Sequence, residues 1–277
     1  MKTNIQNLKT NGLVAVPYPA ELRRAVEITA KAWKKFCALP LETKKGLPYS
    51  NSGAGVGYEL KDGVGVKADR KENFDVTTAG KDWVRTYAQA IENSTALDFV
   101  QLATDLVGLL KPIILDFARE CEKEFNLPGF VDEVAQSEDA FFVRFIHYFG
   151  DTEVGNEIAT AHADQSGFTL HLFESDPGLQ CLTYDGTWID MPVSAHETVI
   201  IPDMQMQLRS KGELKALCHR VIATPETAQR GRFSAVLFVQ FKHTPKWDKA
   251  TQGRLQEREP GFNYSMSHGD FSKLFVE

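Results

Sequence analysis

The stretch His162-Ala163-Asp164-Gln165-Ser166-Gly167-Phe168-Thr169-Leu170 lies in the β-rich half of the chain and decides our prediction of the fold. Side chains of an extended strand alternate between its two faces, so His162 and Asp164 are expected on the same face. An imidazole nitrogen and a carboxylate oxygen then point to one place. The pair is a candidate metal site, although a hydrogen-bonded strand histidine near a turn aspartate is a simpler alternative.

A second histidine completes the candidate metal site. His219 begins the motif His219-Arg220-Val221 and follows Asp164 by 219 − 164 = 55 residues, which is enough chain for several strands and a return to the same edge. Two histidines and one carboxylate form the facial set that binds non-haem Fe(II) and leaves positions open for small molecules and O2. We therefore predict that His162, Asp164 and His219 bind a metal ion.

An arginine and a serine follow at close spacing. The motif Arg232-Phe233-Ser234 opens an apolar run and begins 232 − 219 = 13 residues after His219. Arg232 and Ser234 are expected on one strand face. A guanidinium group binds a carboxylate through two hydrogen bonds and stays charged even inside a protein. The pair predicts a binding site for an acid group.

The order of these motifs resembles that of the isopenicillin N synthase-like family of Fe(II)/2-oxoglutarate-dependent oxygenases, most clearly over residues 138–243. The matching motifs are H-x-D-x-x-G-x-T-L (162–170), G-L-Q (178–180), P-D-M (202–204), H-R-V (219–221) and R-x-S (232–234). The front of the chain matches more loosely, at L-P-L-E-T-K (39–44), G-Y (57–58) and K-E-N-F-D (71–75).

The resemblance implies an oxygenase with Fe(II), 2-oxoglutarate as cosubstrate, and O2. It implies that Arg232 and Ser234 bind the far carboxylate of 2-oxoglutarate. Tyr148 matches the tyrosine of the N-x-Y-P motif of plant members and adds a hydroxyl contact, whereas Ile146 and Phe149 replace the asparagine and proline of that motif. The expected reaction hydroxylates, desaturates or cyclises a small-molecule metabolite while 2-oxoglutarate is converted to succinate and CO2.

Two other functions are compatible with the same motifs. Some relatives, such as isopenicillin N synthase and 1-aminocyclopropane-1-carboxylate oxidase, work without 2-oxoglutarate, and in isopenicillin N synthase the R-x-S pair binds the acid of the substrate. Alternatively, a jelly-roll protein binds a metal or small ligand without redox chemistry, since two histidines and a carboxylate also suit Zn.

The helical and extended patterns predict a mainly β fold with helices at the front. The expected fold is a double-stranded β-helix, or jelly-roll, with N-terminal helices packed on its major sheet. We predict one oxygenase domain over residues 1–277, with a mainly helical front that includes a Gly-rich loop (1–137), a core (138–243) and a tail (244–277). An apolar stripe predicts a helical region from about Thr95 to Phe125, broken near Leu109 to Lys111 because Pro112 lacks an amide hydrogen.

Four residues are candidate substrate contacts, on weaker grounds. They are Tyr58 after the Gly-rich loop, Arg144 on the aromatic strand that begins at Phe141, His171 after the H-x-D segment, and Phe262 in the tail. His171 stands where relatives typically carry leucine. We expect His171 to belong to the core or to support the metal site first, and to contact substrate second.

Composition narrows the classes of partner. The chain has 277 residues and a net charge of −6, which repels phosphate backbones and anionic lipid. The N-terminus lacks the apolar core of a signal peptide, and none of the four cysteines forms a C-x-x-C pair. We therefore predict a cytoplasmic enzyme with a small-molecule substrate, without nucleic-acid or membrane partners, and either monomeric or a weak homo-oligomer.

Overall fold

The computed structural model describes residues 4–50, 55–62, 69–192, 194–243, 260–263, 265–266, 270 and 274. The helices are α1 (Asn7–Thr10), α2 (Ala20–Cys37), α3 (Leu41–Lys45), α4 (Lys81–Gln89), α5 (Ser94–Leu109), α6 (Lys111–Glu124), α7 (Phe130–Gln136), α8 (Met204–Arg209) and α9 (Thr227–Arg230). The strands are β1 (Val14–Pro17), β2 (Gly57–Asp62), β3 (Arg70–Thr77), β4 (Phe141–Tyr148), β5 (Glu157–His162), β6 (Phe168–Glu174), β7 (Leu179–Leu182), β8 (Trp188–Asp190), β9 (Glu197–Pro202), β10 (His219–Ile222) and β11 (Arg232–Val239).

These strands form two antiparallel sheets. The major sheet has seven strands in the order β1-β9-β6-β11-β4-β3-β2, and the minor sheet has four in the order β5-β10-β7-β8. Strands that are distant in sequence are neighbours in both sheets, as the crossing connections of a jelly-roll require. The predicted fold class, a jelly-roll core with helices, is confirmed.

The front helices pack on the major sheet, as predicted. In α2 the apolar side chains of Leu22, Val26, Trp33 and Phe36 are buried on one stripe. The indole nitrogen of Trp33 donates a hydrogen bond to the carbonyl oxygen of Ile146 on β4, at 3.2 Å. This bond ties the helical layer to the strand that carries Tyr148 and Arg144.

The break predicted in the long helical region is also present. Helix α5 ends at Leu109 and α6 begins at Lys111, with Pro112 in its first turn. Proline suits the first turn of a helix because the amide hydrogen that it lacks has no partner there. The described part of the chain contains no helix that is both long enough and apolar enough to cross a membrane.

A second, smaller apolar cluster marks the place of the site. It includes Ile146 from β4, Ala159 from β5, Leu179 from β7, Val221 from β10 and Val236 from β11. These strands come from both sheets, so the cluster lies between them. The polar side chains described next share this space.

Candidate active site

His162, Asp164 and His219 meet where the two sheets face each other. His162 is the last residue of β5 and is paired with His219, the first residue of β10. Asp164 is not on the same strand as His162, and in this respect the sequence prediction is wrong. The strand ends because the next residues enter a turn, in which the carbonyl oxygen of Asp164 accepts from the amide of Met204 at 3.0 Å. The turn still directs the carboxylate toward both histidines.

The three side chains are close enough to share one metal ion. Nε2 of His162 lies 3.5 Å from Oδ1 of Asp164, and Nε2 of His219 lies 3.9 Å from Oδ2. One ligand atom from each residue can be chosen so that all three lie within 4.8 Å of one another. Asp164 and His219 are buried, whereas the His162 side chain is partly exposed.

Backbone carbonyls fix the protonation pattern of both imidazole rings. Nδ1 of His162 is 2.6 Å from the carbonyl oxygen of Thr160, and Nδ1 of His219 is 3.2 Å from that of Leu217. A carbonyl oxygen only accepts, so Nδ1 carries the hydrogen in each ring. The lone pair is then on Nε2, the nitrogen that faces Asp164. This is the tautomer that a metal-binding histidine requires.

The charges in this group also suit a metal ion. Burial raises the pKa of Asp164, but the two histidines and Thr169 outweigh it, and the pKa falls below its usual range. Burial lowers the pKa of His219 to about 4. For His162 burial acts in the same direction, but contact with Asp164 outweighs it and the pKa is raised. Asp164 is therefore anionic and His219 neutral at neutral pH, as metal binding demands.

A pair of polar side chains supports Asp164 from behind. The hydroxyl of Thr169 lies 2.7 Å from Oδ2 of Asp164 and 2.9 Å from Oδ2 of Asp203. Ser166 also donates to Asp203. Burial, followed by repulsion from Asp164, raises the pKa of Asp203 well above its usual range. Asp203 belongs to the P-D-M motif, but the sequence gave no indication that Thr169 links it to Asp164.

The three side chains line a cavity that reaches toward Arg232. We call this space the cavity. Its lining also includes the predicted residues Tyr148, Arg144, His171, Arg232 and Ser234, together with Lys71 and Glu174, which the sequence did not indicate. Arg232 is paired with Tyr148 across β4 and β11, which explains why both side chains point inward. The structure therefore brings the predicted metal and acid-binding residues to one place.

Arg232 is buried and already has a carboxylate beside it. Only 1% of its side chain is exposed. Nε donates to the carbonyl oxygen of Asp176 at 3.1 Å, and Nη2 lies 2.8 Å from Oε2 of Glu174. The second contact is short, but its angles do not make a hydrogen bond, and both atoms lack a hydrogen-bond partner among the described residues. The predicted acid-binding arginine therefore faces an acid of the chain itself.

A β-bulge explains why Glu174 reaches the cavity. On β6, Phe173 is opposite Ala235, but His171 is opposite Val236, so Leu172 is an extra residue in the pairing. A bulge shifts the strand alternation by one position, which places His171 and Glu174 on the same face. Nδ1 of His171 is 3.0 Å from Oε1 of Glu174, and its ring lies edge-on to that of His219.

The remaining substrate candidates have different surroundings. Arg144 lines the cavity, but it forms two hydrogen bonds with Asp75, at 2.8 and 2.7 Å. Tyr58 does not line the cavity, since its buried hydroxyl donates to Glu72 at 2.7 Å. Phe262 is buried in an apolar cluster with Ala163 and is also absent from the lining. Most of the predicted tail lies outside the described residues.

The fold and this site define a jelly-roll protein with a candidate two-histidine, one-carboxylate metal centre. A family model described as the 2OG-Fe(II) oxygenase superfamily matches residues 137–241. A 2-oxoglutarate-dependent dioxygenase of Didymella fabae is 29% identical over 256 residues, which cover 77% of this chain and 71% of that protein. The 1-aminocyclopropane-1-carboxylate oxidase 4 of Arabidopsis thaliana is 38% identical over 236 residues, which cover 76% of this chain and 68% of that protein.

A solved structure shows the same fold. A full-length Neurospora crassa protein, crystallised in complex with alpha-KG, aligns with a TM-score of 0.72 at 19% identity, over 98% of this chain and 88% of that one. The chain belongs to the 2OG-Fe(II) oxygenase superfamily. It is accordingly an oxidoreductase of the oxygenase class, and the cofactor and cosubstrates of this superfamily are Fe(II), 2-oxoglutarate and O2.

Proposed function

We propose that the chain is a dioxygenase that hydroxylates, desaturates or cyclises a small-molecule metabolite and converts 2-oxoglutarate to succinate and CO2. One observation carries the proposal. His162, Asp164 and His219 converge in the same cavity as Arg232, Ser234 and Tyr148. The family requires a metal and an acid-binding residue within reach of one small cosubstrate, and this cavity provides both.

His162, Asp164 and His219 would bind the iron. Their donor set fits Fe(II), since it consists of two imidazole nitrogens and one anionic oxygen. Bound iron supplies the centre at which O2 and 2-oxoglutarate react. The chain contributes by orienting the ligands: the Thr160 and Leu217 carbonyls fix the rings, and Thr169 fixes the carboxylate. Groups oriented in this way raise metal affinity.

Arg232, Ser234 and Tyr148 would bind the far carboxylate of 2-oxoglutarate. All three are buried and line the cavity. Burial raises the pKa of the Tyr148 hydroxyl, so it remains a neutral donor. Two hydroxyl donors and a guanidinium match the acceptor oxygens of a carboxylate.

A second pocket next to the cavity contains an aromatic pair. Phe142 and Phe238 stack with their ring centroids 4.7 Å apart, and both line this pocket, which shares His162 and Asp164 with the cavity. Arg144 lies next to this aromatic pair, but its charge is neutralised by Asp75. We propose that the substrate places an apolar or aromatic group against these rings. Arg144 remains a candidate polar contact, and His171 a secondary one.

An oxidase that does not need 2-oxoglutarate is the second candidate. It is favoured by the similarity to 1-aminocyclopropane-1-carboxylate oxidase 4. To separate the two, we would incubate the iron-loaded protein with 2-oxoglutarate and a panel of metabolites. The dioxygenase predicts succinate together with a product that has gained one oxygen or lost two hydrogens. Product without succinate would favour the oxidase.

A spectroscopic test does not depend on the substrate. Anaerobic addition of Fe(II) and 2-oxoglutarate should give the weak visible charge-transfer band of the metal chelate. Asp164→Ala should abolish the band, whereas Asp82→Ala, at an exposed position on α4, should retain it. Absence of the band in the unaltered protein would contradict the binding of 2-oxoglutarate at this site.

A further inference from the structure

The part of the cavity around Arg232 contains three buried polar atoms without a hydrogen-bond partner. Among the described residues these are Nη2 of Arg232, Oε2 of Glu174 and Nε2 of His171. Buried polar groups are nearly always satisfied, so three orphaned atoms in one cavity indicate a place where a ligand or a rearrangement supplies partners. Nη2 of Arg232 and Oε2 of Glu174 lie 2.8 Å apart as an ion pair without hydrogen-bond alignment, so a ligand that supplies an acceptor to Arg232 must alter this pair.

The positive charges around the cavity are already neutralised. Among its described lining residues, Lys71 is 2.7 Å from Asp69, and Arg144 is 2.7 Å from Asp75. Arg232 is 2.8 Å from Glu174. An acid that enters this end therefore meets an arginine with a carboxylate next to it, and like charges at this separation repel strongly when water is excluded.

We propose that Glu174 is an internal competitor for Arg232, which the far carboxylate of 2-oxoglutarate must displace. The inference rests on the proposed function, in which Arg232 binds that carboxylate. Glu174 keeps a second partner in His171, whose Nδ1 lies 3.0 Å from Oε1. The glutamate can therefore give up Arg232 and remain hydrogen-bonded. The residue lowers the affinity for 2-oxoglutarate and reduces the preference for an acid with two carboxylates.

The affinity of Glu174→Gln tests the proposal. Binding would be measured by calorimetry on the Mn(II)-loaded protein, with 2-oxoglutarate and with 2-oxopentanoate, in which a methyl group replaces the far carboxylate. We expect Glu174→Gln to bind 2-oxoglutarate at least about 10-fold more tightly, because one like charge is removed. Its affinity for 2-oxopentanoate should change by less than about 3-fold, because that ligand brings no charge to Arg232.

The thermal unfolding of the same variant gives a second readout. In the free protein Glu174→Gln leaves the buried guanidinium of Arg232 without an anion, so we expect a lower Tm than that of the unaltered protein. Saturating 2-oxoglutarate should then raise the Tm of the variant by more than it raises that of the unaltered protein. Glu133→Gln is the matched control, because Glu133 pairs with Arg209 at 2.7 Å and is absent from the cavity lining. It should not change either affinity.

The outcomes separate this proposal from the proposed function. If neither the unaltered protein nor Glu174→Gln binds 2-oxoglutarate, or if Arg232→Met binds it normally, the proposed function fails. If binding needs Arg232 but Glu174→Gln binds 2-oxoglutarate equally or less tightly, only the competitor role is overturned.

The unaltered protein provides a test if Glu174→Gln does not fold. A competitor at Arg232 predicts that 2-oxoglutarate binds less than about 10-fold more tightly than 2-oxopentanoate, since the gain from Arg232 is offset by repulsion from Glu174. A preference above about 100-fold, which is about 2.7 kcal/mol, would show an arginine without a competitor.

Discussion

Two buried glutamates, each with a histidine and a cation beside it, have different surroundings in this protein. Glu72 accepts hydrogen bonds from Lys44 at 2.5 Å, Tyr58 at 2.7 Å and His147 at 2.8 Å. Among the residues that the structure describes, Glu174 has a hydrogen bond only to His171, and its other oxygen faces Arg232 without one.

The difference indicates separate roles for the two groups. We call Glu72 and its donors Lys44, Tyr58 and His147 the Glu72 group. Its hydrogen bonds are completed by these side chains, so the group fixes β3 against the helical front. The Glu174 group lines the cavity and keeps unsatisfied atoms there, which is what a binding site requires before its ligand arrives. Residue types alone do not distinguish the two; the number of completed hydrogen bonds does.

The largest expected effect is a loss of protein stability when Glu72 is replaced. Glu72→Gln leaves the buried ammonium of Lys44 without an anion, and breaking one partner of a buried pair costs about 3–5 kcal/mol. Denaturant unfolding should show this loss, while the folded fraction binds 2-oxoglutarate with unchanged affinity. A weakened affinity with unchanged stability would reverse the roles assigned to the two glutamates.

Lowering the pH should remove part of the same contribution of Glu72 to the free energy of unfolding. Burial raises the pKa of Glu72, but hydrogen bonds from His147, Lys44 and Tyr58 outweigh it and lower the pKa to about 2 from 4.5. Because the folded pKa is depressed, this stabilisation is complete above about pH 4.5 and is lost as the pH falls toward 2. The stability of Glu72→Gln should therefore fall less over this range than that of the unaltered protein. If the stabilities of the two proteins fell equally over this pH range, the role given to the ionised carboxylate of Glu72 would be contradicted.

An effect of intermediate size is expected on metal affinity when the hydrogen bond that supports Asp164 is removed. Thr169→Val keeps the shape of the side chain but removes the hydroxyl 2.7 Å from Asp164. Loss of such a supporting hydrogen bond is expected to weaken Fe(II) or Mn(II) binding by about 10–100-fold. Metal titration would measure it, with Thr29→Val as control, since among the described residues that buried hydroxyl bonds to the carbonyl oxygen of Ala25 within α2. Equal metal affinity in both variants would remove Thr169 from the site.

The sequence predicted the parts of the site that depend on local pattern. The H-x-D, H-R-V and R-x-S motifs and the apolar stripe from about Thr95 to Phe125 identify residues by short-range spacing. The structure brings the residues of the three motifs together, although Asp164 lies beyond the end of the strand that carries His162. The sequence did not predict that Glu174 lines the cavity. Strand alternation puts positions 171 and 174 on opposite faces, and only the bulge at Leu172 brings them to the same face.

The partner of Arg144 was not predicted for a related reason. Asp75 is 144 − 75 = 69 residues earlier in the chain and meets Arg144 through the pairing of β3 with β4. Such a pairing depends on the register between distant strands, which no local pattern encodes.

The smallest expected effect concerns Tyr148. Tyr148→Phe removes one hydroxyl from the proposed binding site of the far carboxylate, and one such hydrogen bond is worth about 0.5–1.5 kcal/mol. The affinity for 2-oxoglutarate should therefore fall by about 2–10-fold, with little change in metal affinity. Calorimetry with 2-oxoglutarate on the Mn(II)-loaded variant measures the first quantity, and titration of the metal-free variant with Mn(II) measures the second. A loss as large as that of Arg232→Met would make Tyr148 the principal acid-binding residue instead.

The location of the metal tests the central claim most directly. Two groups in the described chain have ligand atoms close enough to share an ion: His162, Asp164 and His219, and Cys37, Glu72 and His147. The decisive measurement is anomalous diffraction from crystals grown with Mn(II) and 2-oxoglutarate. We predict a peak between His162, Asp164 and His219, with the far carboxylate at Arg232. A peak at the Glu72 group, or none between the two histidines and Asp164, would contradict the account.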